Sequence, residues 1–204
     1  AEEAILFVNA AVLSDEIRAG LAADGVTLRP YGDVYAYLAA LPAGQRLMMD
    51  LRVVNSRMLD SVPDGVTVVD HADPTTLPKA CKNPTEVEGF RQAHVKDGVA
   101  VTKLMCWLKQ NVGKIPMDEF SVAAKLESLR EEQPNYIGPS FHPIMAYGPH
   151  GAIVHYSATE ESNAAIQPRS FLLSDTGGHY LEGSTDITRT FALGELTEDE
   201  KRFY

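Results

Sequence analysis

The stretch FLLSDTGGHYLEGSTDITRTF, residues 171–191, decides the fold of the second half of this chain. Its first apolar residues are typical of a buried strand and lead into Asp175, and a second run rich in β-branched residues, 185–191, carries Asp186. Glycines at 177, 178 and 183 supply points where the chain can reverse. The pattern therefore predicts a β-hairpin that presents two carboxylates at neighbouring points.

Two carboxylates held close together restrict the chemistry of this hairpin. Such a pair is costly unless one carboxylate is protonated or a cation lies between them. Oxygen ligands suit hard or borderline divalent ions, among them manganese and zinc. An aspartate beside a glycine also stabilises many hairpin turns, so the residues alone leave a metal site and a structural pair both open. Asp175-Thr-Gly177 matches the triplet of aspartic proteases too, but these need two facing triplets and only one is present.

Three motifs resemble the pita-bread metallopeptidases, the family of Xaa-Pro aminopeptidase, prolidase and methionine aminopeptidase. DTGG at 175–178 with TDITRT at 185–190 is similar to the first half of the family's metal site, and is closest to its aminopeptidase P branch. GPHGAIVHY at 148–156 is similar to a glycine-rich strand ending in His-Tyr. KNPTEVEGFRQAH at 82–94 is similar to the helix that opens the catalytic domain. The resemblance covers about residues 80–204.

The resemblance implies roles for three residues of this chain. Asp175 would hold one metal ion, Asp186 would bridge two, and His155 would contact the substrate. One histidine and two glutamates that complete the site, together with the general base, are implied to lie outside the chain, so no residue here is predicted to be catalytic. The implied cofactors are two divalent metal ions, manganese first and zinc or cobalt as alternatives, which would activate a water molecule.

The pattern along the chain predicts an α/β (α+β) protein of two parts. Residues 1–76 alternate between extended and helical signals, as in an α/β layer domain, and the resembled family has a noncatalytic domain at this place. Prolines and small polar residues at 73–78 mark the boundary. Residues 80–204 would then form the first half of a pita-bread catalytic domain.

Local signals predict the elements around the hairpin. Asn83, Pro84 and Glu86 form a capping-box pattern that starts a helix running to about residue 112. A second helix should turn Phe120 inward and leave Arg130 on a solvated face. Extended runs are predicted at 140–147 and 152–156, with His155 next to last in the second, and a capping box at 197–200 predicts one more helix start.

Composition excludes several classes of function. The net charge is −10 and no cluster of Lys or Arg stands out, which argues against a nucleic-acid-binding protein. No apolar run reaches the roughly 18 residues that cross a bilayer. Cys81 and Cys106 lack a C-x-x-C spacing and are expected to be reduced thiols. With no leader-like start, these features predict a cytoplasmic protein.

The leading hypothesis is a metal-dependent aminopeptidase whose substrates carry proline in the second position. The abrupt ends of the chain indicate an internal fragment of a longer protein, and the fragment itself is expected to be inactive. A prolidase, and a noncatalytic pita-bread protein that binds peptides or proteins, are the alternatives. The resemblance also suggests a homodimer.

Overall fold

The computed structural model describes residues 3–204 and divides into two compact units between Cys81 and Lys82. The predicted boundary, residues 73–78, lies a few residues before this division. It leads into a short helix that contains Pro78 in its first turn, where a backbone N–H would have no intrahelical partner. Residues 1 and 2 of the predicted 1–76 domain lie outside the described residues.

The first unit is built from two parallel strand pairs, each joined through a helix. Its elements are β1 (Ala4–Val8), α1 (Asp15–Ala23), β2 (Val26–Pro30), α2 (Val34–Ala39), β3 (Arg46–Met49), α3 (Ser56–Asp60), β4 (Thr67–Asp70) and α4 (Thr76–Ala80). β1 pairs with β2 and β3 with β4. Parallel strands require a crossover of this kind, so the alternating pattern of the sequence has its physical cause here. Leu38, Met49 and Val66 are the buried apolar side chains of this unit.

The second unit packs two helices against antiparallel strands. Its elements are α5 (Pro84–Asn111), α6 (Glu119–Glu131), β5 (Tyr136–Pro139), β6 (Ile144–Tyr147), β7 (Phe171–Thr176), β8 (Gly178–Tyr180), β9 (Gly183–Ser184), β10 (Ile187–Ala192) and α7 (Glu198–Phe203). Strand β7 lies between β10 and β6, and β8 lies between β5 and β9.

The start of α5 agrees with its sequence signal. The side chain of Asn83 accepts a hydrogen bond from the backbone N–H of Glu86, and the Glu86 carboxylate accepts one from the backbone N–H of Asn83. Both contacts satisfy donors that a helix start leaves without partners. A capping box at Thr197 and Glu200 likewise opens α7, as predicted.

The predicted hairpin is present, although its reversal differs from the prediction. β8 and β9 continue the pairing of β7 and β10, and the chain turns at Leu181 and Glu182. Gly177 and Gly178 therefore lie along the hairpin and do not form its turn. Gly177 has a separate reason to be glycine, because a Cβ there would come 2.1 Å from the carbonyl oxygen of Thr185.

The core of this unit lies between the helices and the β7 sheet. Its buried members come from both helices, from the strands and from the segments between them: Ala100, Val101, Leu104, Leu108, Met117, Val122, Leu126, Leu129, Met145, Ile166, Leu172, Phe191 and Leu193. The prediction that Phe120 turns inward is wrong, since its side chain is exposed and Val122 is buried in its place. Among residues 3–204, no helix is both long and apolar enough to span a membrane.

Candidate metal centre

Asp175 lies near the end of β7 with its side chain on the more exposed face of the hairpin. Thr188 of β10 is directly opposite, and its hydroxyl donates a 2.8 Å hydrogen bond to Asp175 Oδ1. Residues opposite each other in a ladder share a face, as this contact demonstrates. Although Thr188 lies on the same strand run as Asp186, its hydroxyl therefore orients the carboxylate of Asp175.

Asp186 lies between β9 and β10, where the extended backbone continues. The backbone N–H of Thr185 donates to the carbonyl oxygen of Gly178 at 2.9 Å, which keeps the two sides of the hairpin in register. Because side chains alternate along an extended chain, Asp186 lies on the same face as Ser184 and Thr188. Its side chain is exposed. The hairpin thus presents Asp175 and Asp186 on one face, one from each of its two strands.

Neither aspartate is neutralised by a neighbouring cation. Within residues 3–204, the ion pairs involve other carboxylates, and Asp175 and Asp186 belong to none of them. Two uncompensated carboxylates on one face fit a divalent cation. They do not form a complete site: the described residues contain no group of three or more His, Cys, Asp or Glu side chains that could hold a metal ion.

The opposite face of the hairpin is buried against α5 and α6. There Thr176 and Thr185, the chain neighbours of the two aspartates, contact a buried ion pair. The pair consists of Asp97 and Arg130, whose residues are 0% and 1% exposed. The prediction that Arg130 lies on a solvated face is therefore wrong, because its guanidinium is bound by Asp97 from the neighbouring helix at 2.6 Å.

His155 is exposed and lies on a loop that follows β6. A 3₁₀ helix, Gly148–Ala152, occupies the position of the predicted turn, and the predicted strand 152–156 is absent. His155 has a φ of 51°, in the left-handed region, which no strand residue adopts. The motif places an exposed imidazole at the tip of a loop and not at a strand end.

Glu119, the first residue of α6, holds this loop. Its Oε1 accepts hydrogen bonds from the backbone N–H of Tyr147 and from Nδ1 of His150, both at 2.8 Å. Its Oε2 accepts from the Tyr156 hydroxyl at 2.7 Å and from the backbone N–H of Ala164 at 3.1 Å. The residue is only 1% exposed. A single carboxylate therefore fixes both ends of the loop that carries His155.

The surroundings of Glu119 set its protonation. Burial alone raises the pKa of its carboxyl group, but the donors from Tyr147, His150, Tyr156 and Ala164 outweigh burial and hold the pKa below its ordinary value. The carboxylate is thus charged at neutral pH. No local motif in the sequence marks Glu119, because the partners of its carboxylate lie far along the chain.

Three other histidines of this unit, His94, His150 and His179, make contacts within the protein. The ring of His150 is partly buried and stacks on Tyr156 at 4.5 Å between centroids. His179 is exposed, and its Nδ1 lies 2.6 Å from the hydroxyl of Ser184. His94 is exposed with Nδ1 bonded to the Phe90 carbonyl.

Comparisons with known proteins divide the chain in two. Residues 88–204 match the profile of metallopeptidase family M24, and residues 1–86 match that of the creatinase/prolidase N-terminal domain.

Curated relatives match almost the entire chain. A protein named as a probable Xaa-Pro aminopeptidase P from Botryotinia fuckeliana is 38% identical over 211 residues, covering 98% of this chain and 32% of the relative. One of the same name from Laccaria bicolor is 36% identical over 209 residues, covering 100% of this chain and 32% of the relative. The chain thus spans about a third of the length of the curated relatives it matches.

Solved structures share the same architecture. An X-prolyl aminopeptidase from Caenorhabditis elegans, described as a cytosolic enzyme with a di-nuclear active site, is 27% identical with a TM-score of 0.83, covering 96% of this chain and 33% of the other. An Xaa-Pro dipeptidase from Bacillus anthracis, 19% identical with a TM-score of 0.71, covers 91% of this chain and 51% of its own, and shows the fold alone.

Proposed function

Since this chain belongs to metallopeptidase family M24, we propose that the intact protein is an aminopeptidase that removes the residue preceding a proline from the N-terminus of peptides. The predicted fold class, an α/β (α+β) protein with a noncatalytic N-terminal domain and part of a pita-bread catalytic domain, is confirmed by the two family matches and by the C. elegans structure. The substrate and the activity rest on relatives three times longer than this chain.

One observation supports the proposal above the others. Asp175 and Asp186 lie on the same face of one hairpin, on opposite sides of its ladder, and neither is in an ion pair among the described residues. Carboxylates in this arrangement suit two divalent cations, which we propose to be manganese, with zinc or cobalt as alternatives. When bound, such a pair of ions supplies a water nucleophile and polarises the scissile carbonyl.

The residues of this chain would hold the metal ions and orient the substrate, and none of them would transfer a proton. Asp175 and Asp186 would each donate carboxylate oxygens, and Thr188 would fix the direction of the Asp175 carboxylate through its hydrogen bond. His155 would contact the substrate, since its imidazole is exposed on a loop anchored by Glu119 and can donate to a carbonyl or an oxyanion. The remaining metal ligands and the general base would come from the part of the protein outside this chain.

Peptide hydrolysis by the full-length protein tests the proposal. With manganese present, we expect cleavage of peptides longer than two residues that carry proline in second position, and none of the matching Xaa-Ala peptides. Cleavage of Xaa-Pro dipeptides only would instead identify a prolidase. A protein that binds such peptides, holds no metal and cleaves nothing would be the noncatalytic binding module.

The metal ligands are tested by substitution. Asp186→Ala should abolish turnover and lower the metal content of the purified full-length protein, whereas Asp64→Ala, an exposed aspartate of the N-terminal unit, should change neither. Normal activity and metal content in Asp186→Ala would remove Asp186 from the site.

The 204-residue chain alone should lack peptidase activity and bind metal weakly. It offers two carboxylates at the candidate centre, and the described residues contain no larger donor cluster. Metal affinity depends strongly on the number and geometry of the ligands. Calorimetric titration with manganese measures this directly, and tight, stoichiometric binding by this chain would contradict the proposed division of the ligands.

Two further properties of the intact protein are proposed from its relatives. The description of the C. elegans enzyme as cytosolic supports a cytoplasmic location. A homodimer rests on the family resemblance and would be tested by measuring the mass of the full-length protein in solution.

A further inference from the structure

The buried face of the hairpin carries a threonine next to each candidate metal ligand. Thr176 follows Asp175 and Thr185 precedes Asp186, and the two threonines are 0% and 3% exposed. Because side chains alternate along extended backbone, each threonine points to the side opposite its aspartate. Whatever holds these two hydroxyl groups therefore also fixes the backbone from which the aspartates project.

One ion pair binds both threonines. Arg130 donates from Nε to Asp97 Oδ1 at 2.6 Å and from Nη2 to Asp97 Oδ2 at 3.1 Å. The same Nη2 donates to the Thr176 hydroxyl at 3.0 Å, and the Thr185 hydroxyl donates to Asp97 Oδ2. Thr185 also accepts the backbone N–H of Gly178 at 2.9 Å, which joins the two sides of the ladder. The contacts run from α5 and α6 to both sides of the hairpin.

We propose that Asp97 and Arg130 are positioning residues for the metal centre, because they set the separation and direction of Asp175 and Asp186 through Thr176 and Thr185. The inference rests on the proposed function. It goes beyond that function by giving a role in metal binding to four residues that would contact neither metal nor substrate.

An ion pair at this position fixes the direction of the hydrogen bonds to Thr176 and Thr185. A buried ion pair adds little to stability compared with apolar side chains of the same volume, since both charges lose their hydration. What it provides is a set of hydrogen bonds of fixed length and angle, and apolar packing cannot supply these. Metal ligands need such support, because their affinity falls when the groups that orient them are removed.

The test compares valine variants of the full-length protein, purified free of metal and titrated with manganese in a calorimeter. Thr185→Val and Thr176→Val keep the shape of each side chain and remove its hydroxyl. We expect the manganese dissociation constant to rise about 10- to 100-fold in each variant, the usual effect of removing a group that orients a ligand. For peptide cleavage at a fixed manganese concentration, kcat should fall while KM for the peptide stays unchanged. Thr185→Ser restores the hydroxyl and should restore the affinity.

Two controls separate positioning from stability. Lys103 of α5 also forms an ion pair, at 2.6 Å, with Glu132, the residue that follows α6, but both side chains are about half exposed. Glu132→Gln should leave manganese binding unchanged. Val122→Ala removes buried volume from the core of α6 and should lower the denaturation midpoint without weakening manganese binding.

The inference fails if the valine variants bind manganese as tightly as the unsubstituted protein, or if Val122→Ala weakens binding as much as they do. If one valine variant does not fold, the other decides. Failure of the proposed function is distinguishable, because it is measured on the unsubstituted protein: altered peptide cleavage with manganese still bound leaves the inference standing, whereas a protein that binds no manganese removes the metal centre and the inference with it.

Discussion

Replacing Glu119 by glutamine should destabilise the second unit by an amount that can be derived from its contacts. Each carboxylate oxygen accepts two hydrogen bonds, one pair from Tyr147 and His150 and the other from Tyr156 and Ala164. A glutamine side chain turns one of these oxygens into an NH₂ donor. In either orientation, one backbone N–H then faces another donor inside the protein.

The expected cost at pH 7 follows from that one unsatisfied group. A buried donor without an acceptor costs about 1–3 kcal/mol of the free energy of unfolding. The amide is also a weaker acceptor than the carboxylate for the remaining pair, so the upper part of this range is expected. The loop that carries His155 should loosen, because Glu119 holds both of its ends.

The effect of Glu119→Gln should depend on pH. Burial raises the pKa of Glu119, but its four donors outweigh burial and hold the pKa below the ordinary 4.5. A carboxylate with a lowered pKa in the folded state contributes stability above the unfolded pKa and loses it as the pH falls through the folded value. The difference between the unsubstituted chain and the variant should therefore be constant near neutral pH and shrink below about pH 4.5.

Tryptophan fluorescence measures this difference in the 204-residue chain. Trp107 is the single tryptophan, lies on α5 and packs against the core of the second unit, so its signal reports the unfolding of that unit. Urea titrations from pH 7 downward give the free energy at each pH. Glu131 is exposed on the same helix, and Glu131→Gln is the matched control. It should change the free energy of unfolding by less than about 0.5 kcal/mol. An equally small loss in Glu119→Gln at pH 7, or a difference that stays constant down to pH 3, would refute the reasoning.

Two further predictions concern the hairpin and the long helix. Gly177→Ala should lower the free energy of unfolding by about 1–3 kcal/mol, because its Cβ would lie 2.1 Å from the Ser140 hydroxyl and 2.1 Å from the Thr185 carbonyl. Gly98→Ala on α5, where the Cβ would meet open space, is the control and should be stabilising. Equal changes in the free energy of unfolding of the two variants, measured by urea titration, would contradict this prediction. Asn83→Ala should lower the free energy of unfolding by about 1 kcal/mol, because the N-cap of α5 is lost. Asn83→Asp can still accept the hydrogen bond from the backbone N–H of Glu86 and should recover most of that stability. An unchanged thermal midpoint in Asn83→Ala would show that the cap is dispensable.

Elements whose signals are local could be predicted from the sequence. The capping residues Asn83 and Glu86 define the start of α5, and the apolar run at 171–173 followed by glycines and a β-branched run at 185–191 predicts the hairpin. Contacts of this kind join residues only a few positions apart, so composition and spacing are enough to predict them.

Contacts between distant residues could not be predicted. Arg130 resembles a solvated residue because it precedes two glutamates, and its partner Asp97 lies on another helix. The burial of Glu119 depends on donors from a loop that begins at Tyr147. The extended pattern predicted for 152–156 fails for the same reason, because the buried hydroxyl of Tyr156 is directed to Glu119 and the preceding backbone turns to reach it.

The continuous pairing of the hairpin limits which evolutionary changes it can accept. An insertion or deletion of one residue within 177–180 or 183–187 would reverse the alternation beyond it, moving Asp186 to the core side or exposing Thr185. A change of length at the tip is also restricted, because Glu182 is fixed by Lys96 at 2.6 Å. Point substitutions on the outer face neither shift the alternation of side chains nor change the length of the tip. Variation in length among descendants of this chain should therefore collect in segments such as 157–163 and leave the hairpin at constant length.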